Sequence, residues 1–125
     1  MKLSANFDLK EFESGDGKQP SEQVLKNLVE LANNLEVLRS YLKAPIKITS
    51  GYRSKEHNAK IGGALNSFHV LGMAADIQVK GLKPEEVAKA IELLIKEGKI
   101  KDGGVGTYST WIHYDIRGTK ARWKK

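Results

Sequence analysis

The strongest constraint on the fold is a long amphipathic segment between Ser21 and Leu42. Its apolar residues recur every three or four positions, which is the spacing of one face of an α-helix. The stripe consists of Val24, Leu28, Leu31, Leu35, Leu38 and Leu42, and Leu25 and Ala32 widen it. Pro20 suits the helix start, and Pro45 stops it because the residue before a proline resists helical angles. With 125 residues in all, we expect residues 1–125 to form one compact domain around this helix.

Shorter patterns after this helix predict strands. Ile46 to Ser50 alternates apolar and polar residues and is rich in β-branched side chains, as strands are. Met73 to Val79 alternates in the same way, which places Asp76 on the face opposite Ile77. The segments around Val105 and from Thr110 to Ile116 are typical of a closing hairpin.

A second helix completes the predicted fold. Pro84 opens it and Gly98 ends it, and its buried stripe is Val87, Ala90, Ile91, Leu94 and Ile95. Helices and strands do not alternate in equal βαβ units, so we predict the α+β class. The expected architecture is a small, mainly antiparallel sheet packed against the long N-terminal helix and the second helix. Ser14 to Gly17 and Lys120 to Lys125 are predicted to be the loosest parts.

Composition indicates a globular domain without a membrane span. Hydrophobic residues make up 40% of the chain and charged residues 29%, the mixture of a folded protein. No stretch approaches the roughly 18 consecutive apolar residues of a membrane span. Met1 to Lys10 lacks the apolar run of a secretory signal, so we expect either a cytoplasmic product or a mature fragment.

The charge balance allows loose contact with polyanions. Twenty-one Lys and Arg against fifteen Asp and Glu give a net charge of +6, which favours anionic surfaces such as nucleic acid, teichoic acids or lipid headgroups. A solvated, Lys-rich surface is the simpler explanation. The basic residues are scattered and no recognition motif is present, so we expect no specific nucleic-acid partner. We also expect the protein to be a monomer.

The distribution of histidine points to a metal site. The chain has no cysteine, so any metal must be held by His, Asp or Glu. Gly72 permits a tight bend between His69 and Asp76, which a straight strand would hold about 20 Å or more apart. A strand through residues 111–115 places His113 and Asp115 on one face, about 7 Å apart at the backbone.

Two imidazoles and one carboxylate with an open fourth position form a catalytic zinc set, whereas a closed structural site needs four protein ligands. His69, Asp76 and His113 are therefore candidate ligands for Zn²⁺, and such a site can hydrolyse an amide. The spacing alone also allows a plainer interpretation, in which both histidines are ordinary polar residues that cap strands.

Several strings occur in a distinctive order along the chain. They are Ser50-Gly51-Tyr52-Arg53-Ser54, His57-Asn58, Gly62-Gly63-Ala64, the residues from Ser67 to Asp76, and His113-X-Asp115-X-Arg117. Together they closely resemble the zinc D-Ala-D-Ala carboxypeptidase superfamily, which includes cell-wall peptidases, phage endolysins and the hedgehog signalling domain. The resemblance runs from about Phe7 to Trp123.

The resemblance implies a zinc metallopeptidase with His69, Asp76 and His113 as ligands. Its implied reaction is hydrolysis of peptide bonds next to D-amino acids in bacterial peptidoglycan, at the cell wall or in the periplasm. These residues are consistent with either a D,D-carboxypeptidase or an endopeptidase. They are also consistent with either a host enzyme or a phage lysin. Arg53 is expected to bind a substrate oxygen and stabilise the oxyanion, or else to be a surface turn residue. Ser67 is expected to bind substrate or to cap the turn.

The general base is the point where the sequence departs from its relatives. Several relatives carry Glu three positions before the last His ligand, and Thr110 stands there in this chain. Asp115 is the remaining carboxylate best placed to accept a proton. Its alternative role is to orient a ligand His or to pair with Arg53 or Arg117. The presence of Thr110 in place of Glu also leaves an alternative function, in which the chain is a non-catalytic zinc-binding module that binds the cell wall or a protein partner.

Overall fold

A computed structural model describes all 125 residues and shows an α+β fold. A 3₁₀ helix spans Leu9–Phe12, and the α-helices are α1 (Glu22–Leu42), α2 (Lys55–Lys60) and α3 (Pro84–Lys96). The strands are β1 (Ile46–Ser50), β2 (Ala74–Val79), β3 (Gly104–Thr107), β4 (Ile112–Asp115) and β5 (Ala121–Lys124). The predicted fold class and the two long helices are confirmed. None of the helices combines the length and the apolarity needed to cross a membrane.

The long helix forms where the apolar stripe predicts it. The Ser21 hydroxyl accepts a hydrogen bond from the Val24 N–H at 3.3 Å and caps the first turn. Lys43 ends the helix in the left-handed conformation, with φ of 52°. One hydrophobic core joins the apolar faces of α1 and α3 to one face of the sheet, which contributes Ile77, Ile112 and Tyr114.

The sheet has the strand order β1-β2-β4-β3-β5. Every neighbouring pair is antiparallel except β3 and β5, which are parallel. The mainly antiparallel sheet is therefore confirmed. The basic C-terminal segment was predicted to be loose, and this is wrong: Ala121–Lys124 forms the edge strand β5. Local sequence periodicity could not predict that this segment pairs with β3.

The predicted looseness of Ser14 to Gly17 is also wrong. Ser14 is buried, and its hydroxyl accepts a hydrogen bond from the Ser54 N–H at 3.0 Å. The Asp16 carboxylate accepts a hydrogen bond from the Ser54 hydroxyl, which also caps α2 through the His57 N–H. This segment is held against the start of a short helix that the apolar pattern does not reveal.

One row of paired residues crosses all five strands. Ser50 pairs with Asp76, Asp76 with His113, His113 with Gly106, and Gly106 with Trp123. Directly paired residues share a face of a sheet, and their neighbours along each strand face the other way. Because Ile77 and Ile112 lie in the core, this row lies on the opposite face and forms the floor of the candidate site.

Candidate metal centre and active site

The structure brings together the three predicted metal ligands. His69, Asp76 and His113 each offer one ligand atom, and these atoms lie within 4.8 Å of one another. Oδ1 of Asp76 is 3.5 Å from Nε2 of His69 and 3.3 Å from Nδ1 of His113. Asp76 and His113 are neighbours on β2 and β4, and His69 comes from the loop before β2. Gly72, with φ of 73°, makes the bend that returns this loop to the sheet.

The outer nitrogen of each imidazole is already engaged. Nδ1 of His69 is 2.8 Å from the Gly51 carbonyl oxygen, and Nε2 of His113 is 2.6 Å from Oδ2 of Asp115. These acceptors favour protons on the outer nitrogens, which leaves the lone pairs of the inner nitrogens facing Asp76. Histidines that bind metals are oriented in this way by carbonyl and carboxylate partners. The donor set of two nitrogens and one carboxylate oxygen therefore fits a zinc ion.

The charge interactions in the cluster favour the binding of a cation, either a proton or a metal ion. Burial raises the pKa of Asp76, but its contacts with the His113 and His69 side chains outweigh it and hold that pKa below its usual range. Burial lowers the pKa of His113, but its contacts with Asp115 and Asp76 raise it above its ordinary value. A proton and a metal ion would therefore compete for the same inner nitrogen of His113.

Asp115 lies behind His113, on the side of the ring away from Asp76. Its side chain is fully buried and also accepts hydrogen bonds from Arg117 at 2.7 and 2.9 Å and from the Gly104 N–H at 2.8 Å. Burial raises the pKa of Asp115, but these partners hold it well below its usual range. The geometry favours the orienting alternative, and the assignment of Asp115 as general base stays a prediction.

Arg53 lies at the cluster. Its Nη2 is 3.6 Å from Oδ2 of Asp76, and the side chain is 16% exposed. Two further contacts fix the guanidinium: Nε donates to the Ser50 hydroxyl at 3.2 Å and Nη1 to the Asn58 side-chain oxygen at 3.3 Å. The guanidinium is therefore not that of a freely exposed turn residue, and its contact with substrate stays a prediction.

Ser67 caps the turn that carries His69, because its hydroxyl accepts a hydrogen bond from the His69 N–H at 3.1 Å. It also lines a groove of about 780 Å³ between α2 and the loop before β2, together with Asn58 and Phe68. The capping contact is present in the structure, and the substrate-binding role of Ser67 stays a prediction.

Sequence reasoning missed the aromatic side chains around His113. The Trp123 indole packs on the His113 ring with centroids 4.9 Å apart, and its Nε1 donates to the Tyr108 hydroxyl at 2.9 Å. The Arg117 guanidinium lies 4.3 Å from the centre of the Phe68 ring. A glycine inside a strand, here Gly106, was the one available signal, since it often marks a close approach by another group.

Thr110 and His57 lie outside the ligand cluster. The Thr110 side chain is exposed, and its carbonyl oxygen accepts a hydrogen bond from Gln78 at 3.0 Å. His57 is half-buried on α2, where its ring lies against Gly15. Neither residue is part of the proposed ligand set.

The cluster of His69, Asp76 and His113 lies on the face of the sheet opposite the core, and comparison with known proteins defines the class of protein. The family model described as Peptidase M15 matches residues 5–115. The chain belongs to the peptidase M15 family, and the resemblance found in the sequence is confirmed.

Two curated proteins are similar in sequence to this chain. The probable peptidoglycan L,D-endopeptidase MepK of Haemophilus influenzae is 33% identical over 105 residues, which cover 78% of this chain and 53% of that protein. The peptidoglycan L,D-endopeptidase MepK of Escherichia coli K12 is 31% identical over 80 residues, covering 58% of this chain and 41% of that protein. The chain thus spans about half the length of the curated relatives it matches.

Proposed function

We propose that this chain is a zinc-dependent peptidase that hydrolyses peptide bonds of bacterial peptidoglycan. The observation that carries the proposal is the convergence of His69, Asp76 and His113, with the outer nitrogen of each imidazole already hydrogen-bonded. Membership of the M15 family supports a peptidase. The names of the two relatives support wall peptides as the substrate.

The proposed ligands are Nε2 of His69, a carboxylate oxygen of Asp76 and Nδ1 of His113. When bound, zinc would supply Lewis-acid activation of a water molecule and polarisation of the scissile carbonyl. Three protein ligands leave a coordination position open, as catalytic zinc sites require. Gly51 and Asp115 hold the two imidazoles in place through their outer nitrogens.

Arg53 is the residue proposed to stabilise the charge that develops on the scissile carbonyl oxygen. A guanidinium beside that oxygen lowers the barrier when it is already oriented before the reaction. The contacts of Arg53 with Ser50 and Asn58 supply this orientation. We propose that substrate also contacts Ser67, which lines the groove beside the site.

Within this activity, we propose internal cleavage at an L,D peptide bond. Both relatives are named as L,D-endopeptidases, whereas the residues of the site are equally compatible with a carboxypeptidase. Such a substrate would place the reaction at the cell wall or in the periplasm. The net charge of +6 supports retention on an anionic wall.

Digestion of purified peptidoglycan tests the proposal. The zinc-loaded protein and its His57→Ala variant should convert cross-linked fragments into uncross-linked ones, identified by mass. His69→Ala should release none, because it removes a ligand. Release of free D-alanine with intact cross-links would indicate a carboxypeptidase instead. Binding to the wall with no new fragments would contradict the peptidase and favour the non-catalytic module.

A further inference from the structure

We propose that Trp123 is a positioning residue for His113, and that Gly106 gives the indole room to reach that ring. The inference rests on the metal-binding role proposed for His113. It concerns a residue beyond the ligand set, on the edge strand β5, to which the sequence motifs assign no function.

The indole of Trp123 lies directly over the backbone of β3. A Cβ atom placed on Gly106 would be 2.2 Å from Nε1, 2.3 Å from Cε2 and 2.6 Å from Cζ2 of Trp123. These separations are far below van der Waals contact, so no residue with a side chain fits at position 106 while the indole stays in place. Gly106 pairs with Trp123 on one side and with His113 on the other. The indole therefore crosses β3 from β5 and reaches β4.

The indole packs against the His113 imidazole in a tilted arrangement. The ring centroids are 4.9 Å apart and the planes are inclined by 48°. The His69 ring approaches the same imidazole edge-on, with centroids 5.2 Å apart and an angle of 75°. The contacts of His113 with Asp76 and Asp115 are made at its two nitrogens. Tilting of the ring about the line that joins those two nitrogens is limited by ring packing, to which Trp123 contributes.

Other contacts hold the indole in this position. Its Nε1 donates to the Tyr108 hydroxyl at 2.9 Å, and the Tyr108 ring stacks on Trp111 with centroids 4.5 Å apart. The Arg117 guanidinium lies 5.7 Å from the Trp123 ring centre and also binds Asp115. Trp123 therefore contacts both the imidazole and the side chain that holds the carboxylate behind it.

The strand that carries Trp123 is fixed from its other face. Arg122, the preceding residue, donates to Glu92 on α3 at 2.7 and 2.8 Å and to Asp102 at 3.0 Å. Neighbouring residues of a strand face opposite ways, so these ion pairs secure β5 while Trp123 faces the site. Loss of the indole should loosen His113, and we expect an effect at the low end of the about 10-fold to 100-fold found for hydrogen-bonded outer partners of metal ligands.

The test measures metal binding rather than turnover. We expect Trp123→Leu and Gly106→Ala to weaken zinc binding by about 10-fold in competition with a chelator and to change the visible absorption spectrum of the Co²⁺-loaded protein. Trp123→Phe keeps a ring on His113 and should retain parent-like values. Tyr41→Leu, which removes an exposed aromatic side chain of α1, is the control and should leave the Co²⁺ spectrum unchanged.

A double variant separates positioning from general loss of stability. If the two residues act through one contact, Gly106→Ala should have little further effect on zinc affinity once Trp123 is Leu. A second measurement uses a protein whose packing is intact: in Trp111→Phe, Trp123 is the sole tryptophan, and Co²⁺ binding should quench its fluorescence.

The outcomes distinguish this inference from the proposed function. A parent protein that binds neither zinc nor Co²⁺ would overturn the metal site itself. If the parent binds both ions while Trp123→Leu and Gly106→Ala keep its affinity and its Co²⁺ spectrum, the positioning role is wrong and the metal site stands. Unquenched fluorescence at saturating Co²⁺ would also contradict the role of Trp123.

Discussion

At the scale of single residues, the site depends on which nitrogen of each imidazole faces inward. Gly51 and Asp115 engage the outer nitrogens of His69 and His113 and leave the inner ones facing Asp76. The two outer acceptors differ in kind, because one is a backbone carbonyl and the other is a buried carboxylate. The carboxylate is the one that substitution can test directly.

Asp115→Asn distinguishes the two roles considered for this carboxylate. We expect zinc affinity to fall by about 10-fold or more, because the neutral amide supports His113 less well and leaves Arg117 partly unpaired. Added zinc should then restore much of the activity. A variant that keeps tight zinc but loses about 100-fold or more in rate would instead identify Asp115 as the general base. Zinc affinity and wall digestion should be measured on one preparation.

Arg53→Ala should separate turnover from metal binding. We expect kcat/KM on peptidoglycan fragments to fall by about 100-fold or more, the usual effect of removing a group that stabilises an oxyanion. Zinc content at saturation should remain at the parent level, because Arg53 contributes no ligand atom. Lys60→Ala, which removes an exposed cation from the neighbouring helix, is the control and should leave both quantities unchanged. Wild-type turnover in Arg53→Ala would show that this guanidinium has no part in the reaction.

The sequence could predict that His69, Asp76 and His113 lie together, because each sits in a local pattern of the family motif. The sequence left two roles open for Asp115, as general base or as orienting residue. The choice between these roles depends on the rotation of the His113 ring, which contacts Asp76 on the neighbouring strand. Trp123 was missed for a similar reason, since its contact with His113 passes over another strand.

At the scale of elements, local signals predicted the long helices and failed for segments held by distant contacts. The apolar stripe from Ser21 to Leu42 agrees with α1 to within one residue, because periodicity and capping are encoded locally. The parallel pairing of β5 with β3 brings together segments that are separated by β4. Its supports, such as the ion pairs of Arg122, are visible only in the folded chain.

The N-terminal segment is held to α1 by a pH-sensitive contact. The Glu36 carboxylate accepts hydrogen bonds from the Ser4 hydroxyl at 2.6 Å and from Asn6 at 2.6 and 2.8 Å. Burial raises the pKa of Glu36, but these hydrogen bonds outweigh it and hold the pKa below its ordinary value. The stabilisation is therefore present above the pKa of the unfolded chain and is lost as pH falls through the lower folded value.

Glu36→Gln tests this linkage. The free energy of unfolding of the parent should exceed that of the variant by up to about 1 kcal/mol near pH 7, since the contact is largely exposed. The difference should shrink as the pH is lowered through the region below about 4.3, the ordinary pKa of Glu. Denaturant titrations from pH 7 to pH 3 measure it. A difference that stays constant or grows on acidification would contradict the assignment.

At the scale of the whole molecule, the two faces of the sheet have different roles. One face joins α1 and α3 in the core, and the other carries the row from Ser50 to Trp123. A rigid sheet fixes the spacing of the ligands on β2 and β4, and the bent loop adds His69. This division allows the 125 residues to bring the three proposed ligands together on one face of the sheet.

The metal content of the protein and its histidine variants tests the central claim most directly. After zinc loading and removal of excess metal, we expect about one zinc per chain in the parent and in His57→Ala, and far less in His69→Ala and His113→Ala. The comparison is well matched because these are all the histidines of the chain. A parent with almost no zinc, or variants at positions 69 and 113 that hold as much as the parent, would contradict the proposed metal centre.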